Sequence, residues 1–491
     1  MIVNKTLDRR TLLKGAGALA LMGGVGFSAR AREAGGLLWQ PGEASSVGNV
    51  LDTVVNAQYG SFDLAGQKVS LRGYDGGPVG RTLRLRAGDT LRLRLKNEFP
   101  WEPSGAICGG NVPHALNTTN MHLHGVHVSP NQPSDYILLA LAPKTPLSPV
   151  PTQEAMSDYQ YVYKIGADHP PGTYFYHAHY HGSVALQVSS GMAGCLIIEG
   201  EMDRIPEIAA AAERVLMVQS QCVGPDGTCE SYEQLELVPG APPRPTYVNG
   251  QLVPKIAMRP GEVQRWRVIN GTHDRLLWLG LDGLKTMLLC CDGNPLPKAE
   301  EVTGPLRFVP GNRLDLLVKA PSQPGTYAIA SGDGTGPLVT VVVDGQPKPM
   351  ALFSGALPSS PLLRPISAAE IQYGRRLTFG MTGAPAHTTY TINGVPFSCE
   401  TPWEIPLGRV EEWEITNQTN DSHPFHIHVN PFQMVSGGNV PAGRWLDTVE
   451  VPPTGKVTFR TRFDQFTGLF VFHCHTLVHE DMGMMQAIKV V

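Results

Sequence analysis

Gly88-Asp89-Thr90-Leu91-Arg92-Leu93-Arg94-Leu95-Lys96-Asn97 is a turn glycine, an alternating strand and a closing asparagine. The same ten-residue frame returns at 261–270 and 408–417, where the strands read Val263-Gln264-Arg265-Trp266-Arg267-Val268 and Val410-Glu411-Glu412-Trp413-Glu414-Ile415. Alternation sends successive side chains to opposite faces, as a half-buried strand requires. Asn249-Gly250 and Asn393-Gly394, shortly upstream of the later copies, are hairpin signals. A second pattern also occurs three times, as Gly172-Thr173-Tyr174-Phe175-Tyr176, Gly325-Thr326-Tyr327-Ala328-Ile329 and Gly468-Leu469-Phe470-Val471-Phe472. Two unrelated patterns recurring in one order predict three copies of a β-domain, at 37–203, 204–346 and 366–491, with the proline-rich 347–365 as linker. Each unit has the size of a Greek-key sandwich, so the predicted class is all-β.

Composition agrees with that reading. The 491 residues match about three domains. Gly 54 and Pro 42 exceed ordinary usage, while charged residues reach 17% and hydrophobic ones 42%, which disfavours coiled coils and disorder alike. With 39 basic and 43 acidic residues, nucleic acid or an anionic membrane has no compositional support as a partner. Residues 1–35 read as a leader, with a basic start, a short apolar stretch and a small-residue end. Asp8-Arg9-Arg10-Thr11-Leu12-Leu13-Lys14 resembles a twin-arginine signal, which predicts export to the periplasm by the Tat machinery and no stable membrane association.

The sixteen histidines are the chemical signal. His122-Leu123-His124 and His177-Ala178-His179 lie in the first unit, and His426-Ile427-His428 and His473-Cys474-His475 in the third. Residues two apart on an extended segment face one side, so each pair can offer two imidazoles to one metal region. His177 and His473 stand at the same offset from their repeat glycines, as do His179 and His475; the middle unit has Ala330 and Gly332 there and reads as a spacer. Two matching sets of four predict one polynuclear site between the first and third units. Cys474 points opposite to its flanking histidines and serves a different metal. His423 and His479 complete a His₂Cys set for it, with Met484 as axial candidate, the signature of electron-transfer copper.

These motifs together, His122-x-His124-Gly125, His177-x-His179, His423-Pro424-x-His426-x-His428 and His473-Cys474-His475-x₃-His479-x₄-Met484, resemble the multicopper oxidase family, in its bacterial, three-domain, laccase-like form. The resemblance implies cupredoxin-like domains and four copper ions. Type 1 copper would take His423, Cys474 and His479 with Met484 axial, and type 2 copper His122 and His426. One type 3 copper would take His124, His177 and His475, the other His179, His428 and His473. It also implies a small-molecule reducing substrate oxidised one electron at a time, O₂ reduced to water, and Glu480 and Asp135 as proton-relay carboxylates. Alternatives are a cuprous oxidase of periplasmic copper tolerance and a copper-free scaffold of the same fold; the latter predicts missing ligands, and none is missing.

Six histidines fall outside the motifs. His181 is expected beside the site or at the surface, and His127 breaks the two-residue spacing. His114, His169, His273 and His387 are expected as ordinary surface or core residues. Cys222 and Cys229 flank a turn-rich segment that a disulfide would staple, adjacent Cys290 and Cys291 cannot form a relaxed bridge, and Cys108, Cys195 and Cys399 are expected as buried small hydrophobes. Ser354–Ile371 and Gly437–Gly443 are the candidate specificity loops.

Overall fold

The computed structural model describes residues 35–102, 110–144, 156–235, 244–383 and 388–491. The leader, Cys108 and His387 lie outside them. The first repeat occupies one structural place in all three units. Thr90–Asn97 runs parallel to Val50–Leu64 and antiparallel to Asp158–Lys164. Val263–Asn270 does the same with Ala212–Gln219 and Arg313–Lys319, and Arg409–Asn417 with Tyr373–Thr382 and Lys456–Phe463. Gly88, Gly261 and Gly408 have φ of 89°, 77° and 84°, a left-handed turn that a Cβ would strain. The closing asparagines are buried corners. Asn97, Asn270 and Asn417 each donate Nδ2–H to loop carbonyls and accept the backbone N–H two residues on.

The second repeat builds the facing sheet. Gly172–His177, Gly325–Ala330 and Gly468–Cys474 each pair antiparallel with the strand that follows, Ala193–Glu199, Pro337–Val343 and Met485–Val490. Three all-β, cupredoxin-like sandwiches result. Leu91, Leu93 and Leu95 are buried while Arg92 and Arg94 are exposed, as alternation demands. The middle copy departs from half-burial, because all eight residues of Val263–Asn270 are buried. Arg265 pairs with Asp203 and Asp315, and Arg267 with Glu213 and with Thr173 Oγ1 of the first sandwich. The polar face of this strand is an ionic interface between units, where desolvated guanidinium groups keep carboxylate partners.

The 347–365 segment lies on the middle sandwich, with Met350, Leu352, Phe353 and Leu357 against its core. Cys222 and Cys229 are free buried thiols, not a bridge, and Cys222 Sγ donates to Gln234 O at 3.0 Å. Cys399, expected as a buried hydrophobe, is disulfide-bonded. Among the described residues no helix is long and apolar enough to cross a membrane.

Candidate metal centre

Strand pairing brings the histidines together. His122 stands opposite His177 across one strand pair of the first sandwich, and His426 opposite His473 across the equivalent pair of the third. The two His-x-His segments then stack crosswise between sandwiches, His122 on His428 and His124 on His426, each with ring centroids 3.7 Å apart.

Among the described residues four groups of His and Cys donor atoms emerge, each within 4.8 Å: His122, His124 and His426; His124, His177 and His475; His179, His428 and His473; and His423, Cys474 and His479; a fifth group joins Asp135 to His122 and His428. In the third group the Nε2 atoms stand 3.2, 3.2 and 3.3 Å apart. Imidazoles holding one ion tetrahedrally at ~2.0–2.1 Å place their nitrogens about 3.3 Å apart. Cys474 Sγ lies 3.5 Å from His423 Nδ1 and 3.7 Å from His479 Nδ1, which are 3.1 Å from each other. His122, His177 and His426 have buried Nε2 atoms with no hydrogen-bond partner among the described residues. Such nitrogens are costly in a protein interior unless a metal takes the lone pair. The donors therefore fit copper: imidazoles in three groups, imidazoles plus a thiolate in the fourth.

Electrostatics points the same way. Burial pushes His122, His124, His179, His428, His475 and His479 well below the usual histidine range, His177 to about 3 and His423 to about 4. Neutral imidazole is the metal-binding form. Burial raises the Cys474 thiol to about 12, so losing its proton here requires a cation beside it.

Glu480 is fully buried on the short helix Leu477–Asp481, its carboxylate 2.9 Å from His473 Nδ1 and 3.4 Å from His179 Nδ1. Neither oxygen has an aligned donor among the described residues. Asp135 accepts from His122 Nδ1 at 2.7 Å and from Leu123 N at 3.1 Å, and burial raises its carboxyl to about 8. Met484 is buried, its backbone N–H bonded to His479 O and its carbonyl to Cys474 N.

The other described histidines make separate contacts. His181 is buried, with Nε2 3.2 Å from Asn111 Oδ1. His127 bonds Val429 O and Gln465 Oε1 across the contact of the outer sandwiches, and His169 Nε2 accepts from its backbone. His273 is buried against Ser220, and His114 is half-buried.

Several residues near the site carry no motif. Asp447, fully buried, contacts His124 Nε2 at 3.1 Å, and its carbonyl accepts His426 Nδ1–H at 2.9 Å. Asp481 accepts from Gly182 N at 2.6 Å and Ala185 N at 2.9 Å, tying the third sandwich to the first, and burial and the neighbouring Glu480 raise it to about 7. Tyr390 stacks on His479 at 4.0 Å, and His479 is the one half-exposed member of its set. From the Gly437–Gly443 segment, Gly438 to Pro441 line a cleft of about 530 Å³ with Glu300, Arg307 and Arg313 of the middle sandwich.

Buried His groups at a junction of cupredoxin-like sandwiches, with one cysteine between two of them, define a copper-binding oxidase class. The chain belongs to the multicopper oxidase family, whose models match residues 111–203, 225–343 and 371–491. It is 26% identical over 455 residues to a laccase of Haloferax volcanii, covering 84% of this chain and 76% of that protein. A Bacillus subtilis laccase is 23% identical over 483 residues, 86% and 90% of the two chains. A Campylobacter jejuni multicopper oxidase structure superposes with a TM-score of 0.73 at 23% identity, covering 93% of this chain and 95% of that one. The protein is thus a copper oxidoreductase with O₂ as acceptor.

Proposed function

We propose a laccase-like oxidase of phenols, aromatic amines or similar one-electron donors, holding four coppers in the four donor groups. His423, Cys474 and His479, together with Met484, would hold type 1 copper. His122 and His426 hold type 2, and the groups of His124, His177 and His475 and of His179, His428 and His473 hold type 3. One observation carries this reading: Cys474 belongs to one group while its neighbours His473 and His475 belong to two others, so a single extended segment joins all three. Copper bound there would supply one-electron acceptance from substrate and four-electron reduction of O₂ to water. The protein fixes the donors, excludes water and handles protons. Half-exposed His479 offers the substrate an edge, with Tyr390 forming part of the wall. Glu480, buried between His179 and His473, is placed to pass protons at its carboxylate.

Metal analysis of copper-supplied protein should give about four ions per chain, and one or none would sink the assignment. O₂ consumption should be faster with a phenol or an aromatic diamine than with Cu(I). The reverse order would favour the cuprous oxidase. That reading has one feature in its favour, the cluster Met482, Met484 and Met485, but Met484 and Met485 are buried and only Met482 is half-exposed.

Asp135 orients His122 by accepting its Nδ1–H. Asp135→Asn keeps an acceptor but loses the ionisable carboxyl, so copper retention at the His122 group should fall ~10-fold or more while the blue colour stays. Unchanged retention and unchanged turnover would remove both the orienting and the relay role. Residues 1–35 carry the protein to the periplasm by the twin-arginine route in this reading. Replacing Arg9 and Arg10 together by lysine should leave it in the cytoplasmic fraction, and normal periplasmic recovery would refute the route.

A further inference from the structure

We infer that Arg313, from the middle sandwich, is a positioning residue for the polynuclear site: by gripping Asp447 it decides which ring nitrogens His124 and His426 present. The inference rests on the four-copper reading above. Arg313 is fully buried, and its guanidinium meets the Asp447 carboxylate twice, Nη1 to Oδ1 at 2.8 Å and Nη2 to Oδ2 at 2.5 Å. It also donates to Gly311 O at 2.9 Å and Thr173 O at 3.2 Å and lies 3.8 Å from Asp292 Oδ1, so it joins all three sandwiches at one point. Two parallel N–H···O bonds fix the plane of a carboxylate, which a lysine ammonium cannot do.

Asp447 passes that orientation on. Its Oδ1 lies 3.1 Å from His124 Nε2, so the proton of His124 sits on Nε2 and the Nδ1 lone pair is the one turned to the site, 3.2 Å from His475 Nε2. His426 is set the opposite way. Its Nδ1–H donates to the Asp447 carbonyl at 2.9 Å, and its buried Nε2 is left as the donor to a metal. Thr448 Oγ1, which donates to Asp447 Oδ1 at 2.9 Å, lies 3.2 and 3.1 Å from the same two nitrogens, so Asp447 with this hydroxyl assigns opposite tautomers to two rings stacked 3.7 Å apart.

The middle sandwich holds the backbone there too. Asp292 accepts from Asp447 N at 3.3 Å and Thr448 N at 3.1 Å, and Asn312 Nδ2 donates to Thr448 O at 2.9 Å. Space has been cleared for the grip. A Cβ on Gly125 would overlap Arg313 Nη2 and Asp447 Oδ2, and one on Gly311 would lie 2.9 Å from His124 Cε1 and 3.2 Å from His475 Cδ2. A domain that donates no ligand therefore reaches the outer face of two.

The test compares copper-loaded wild type, Arg313→Gln and Arg313→Lys, dialysed against a graded series of chelator. Copper content, the type 2 EPR signal, the blue absorbance and the thermal melt are recorded together. Both variants should release their non-blue copper at ~10–100-fold lower chelator concentration, the loss typical when a group that orients a ligand is removed. The type 2 signal should change shape, with the blue absorbance kept. Retention within twofold of wild type and an unaltered type 2 signal would overturn the inference. Should Arg313→Gln lose its cooperative melt, Arg313→Lys decides, because it keeps the buried charge. Loss of the melt and the blue colour in that variant as well would show a purely structural residue and overturn the inference equally. Wild-type protein that takes up no copper would instead refute the four-copper reading.

Discussion

Cys474→Ser is expected to give a colourless protein in which O₂ uptake falls at least ~10³-fold, the scale of loss when one member of a group that acts as a unit is deleted. The thiol is fully buried, so its proton leaves only when a metal takes its place. Serine is nearly isosteric, but its hydroxyl is a hard, weakly acidic donor that cannot replace a thiolate in a His₂Cys set. Metal analysis should find about one copper fewer than wild type, with the histidine-only groups filled. The fold should survive, because the backbone pairing of Phe472, His473 and Cys474 with Ile427, His426 and Phe425 does not involve the Cys474 side chain. A variant that keeps its blue colour, or that turns over normally without it, would exclude Cys474 as the link between the donor groups.

Much of this architecture was legible in the sequence because it rests on short periods. Positive φ demands glycine at 88, 261 and 408, and a corner needing both an amide donor and an acceptor demands asparagine at 97, 270 and 417, so the repeat stands out without any homologue. The period of two along a strand did the same for the histidine pairs. What escaped was whatever depends on one domain touching another. Arg313 opens a strand whose counterparts open with Asp158 and Lys456, so the repeat gives it no signal. Asp447 stands in an ordinary Leu446-Asp447-Thr448 run, 323 residues from the His124 it contacts. Missing ligands mark the middle unit as a spacer, and that signal carries nothing about a side chain that acts on ligands from behind. The cysteines failed for a different reason: spacing suggests a bridge between Cys222 and Cys229, but only coordinates separate two neighbouring thiols from a bond.

The converse substitution separates the two kinds of site. His475→Ala should reduce O₂ uptake by at least ~10³-fold while leaving most of the blue colour, since it removes one donor from a cooperating set. His475 belongs with His124 and His177, and its Nε2 is 3.2 Å from His124 Nδ1, whereas the Cys474 thiol beside it faces His423 and His479. The backbone N–H of His475 donates to Pro424 O at 2.7 Å, a bond that alanine preserves, so the strand should keep Cys474 in place. The ring is fully buried, and truncating it leaves a void beside Phe175 and Gly311 that should cost about 2–4 kcal/mol, within the range for large-to-small core changes. Stability must therefore be followed by thermal melt beside activity and absorbance. Oxidised protein should still lose its blue colour on adding substrate and regain it only slowly in air, because donor oxidation is intact and delivery to O₂ is not. Colour and oxygen uptake lost together, in a protein that still melts cooperatively, would mean that the two sites do not divide the reaction between them.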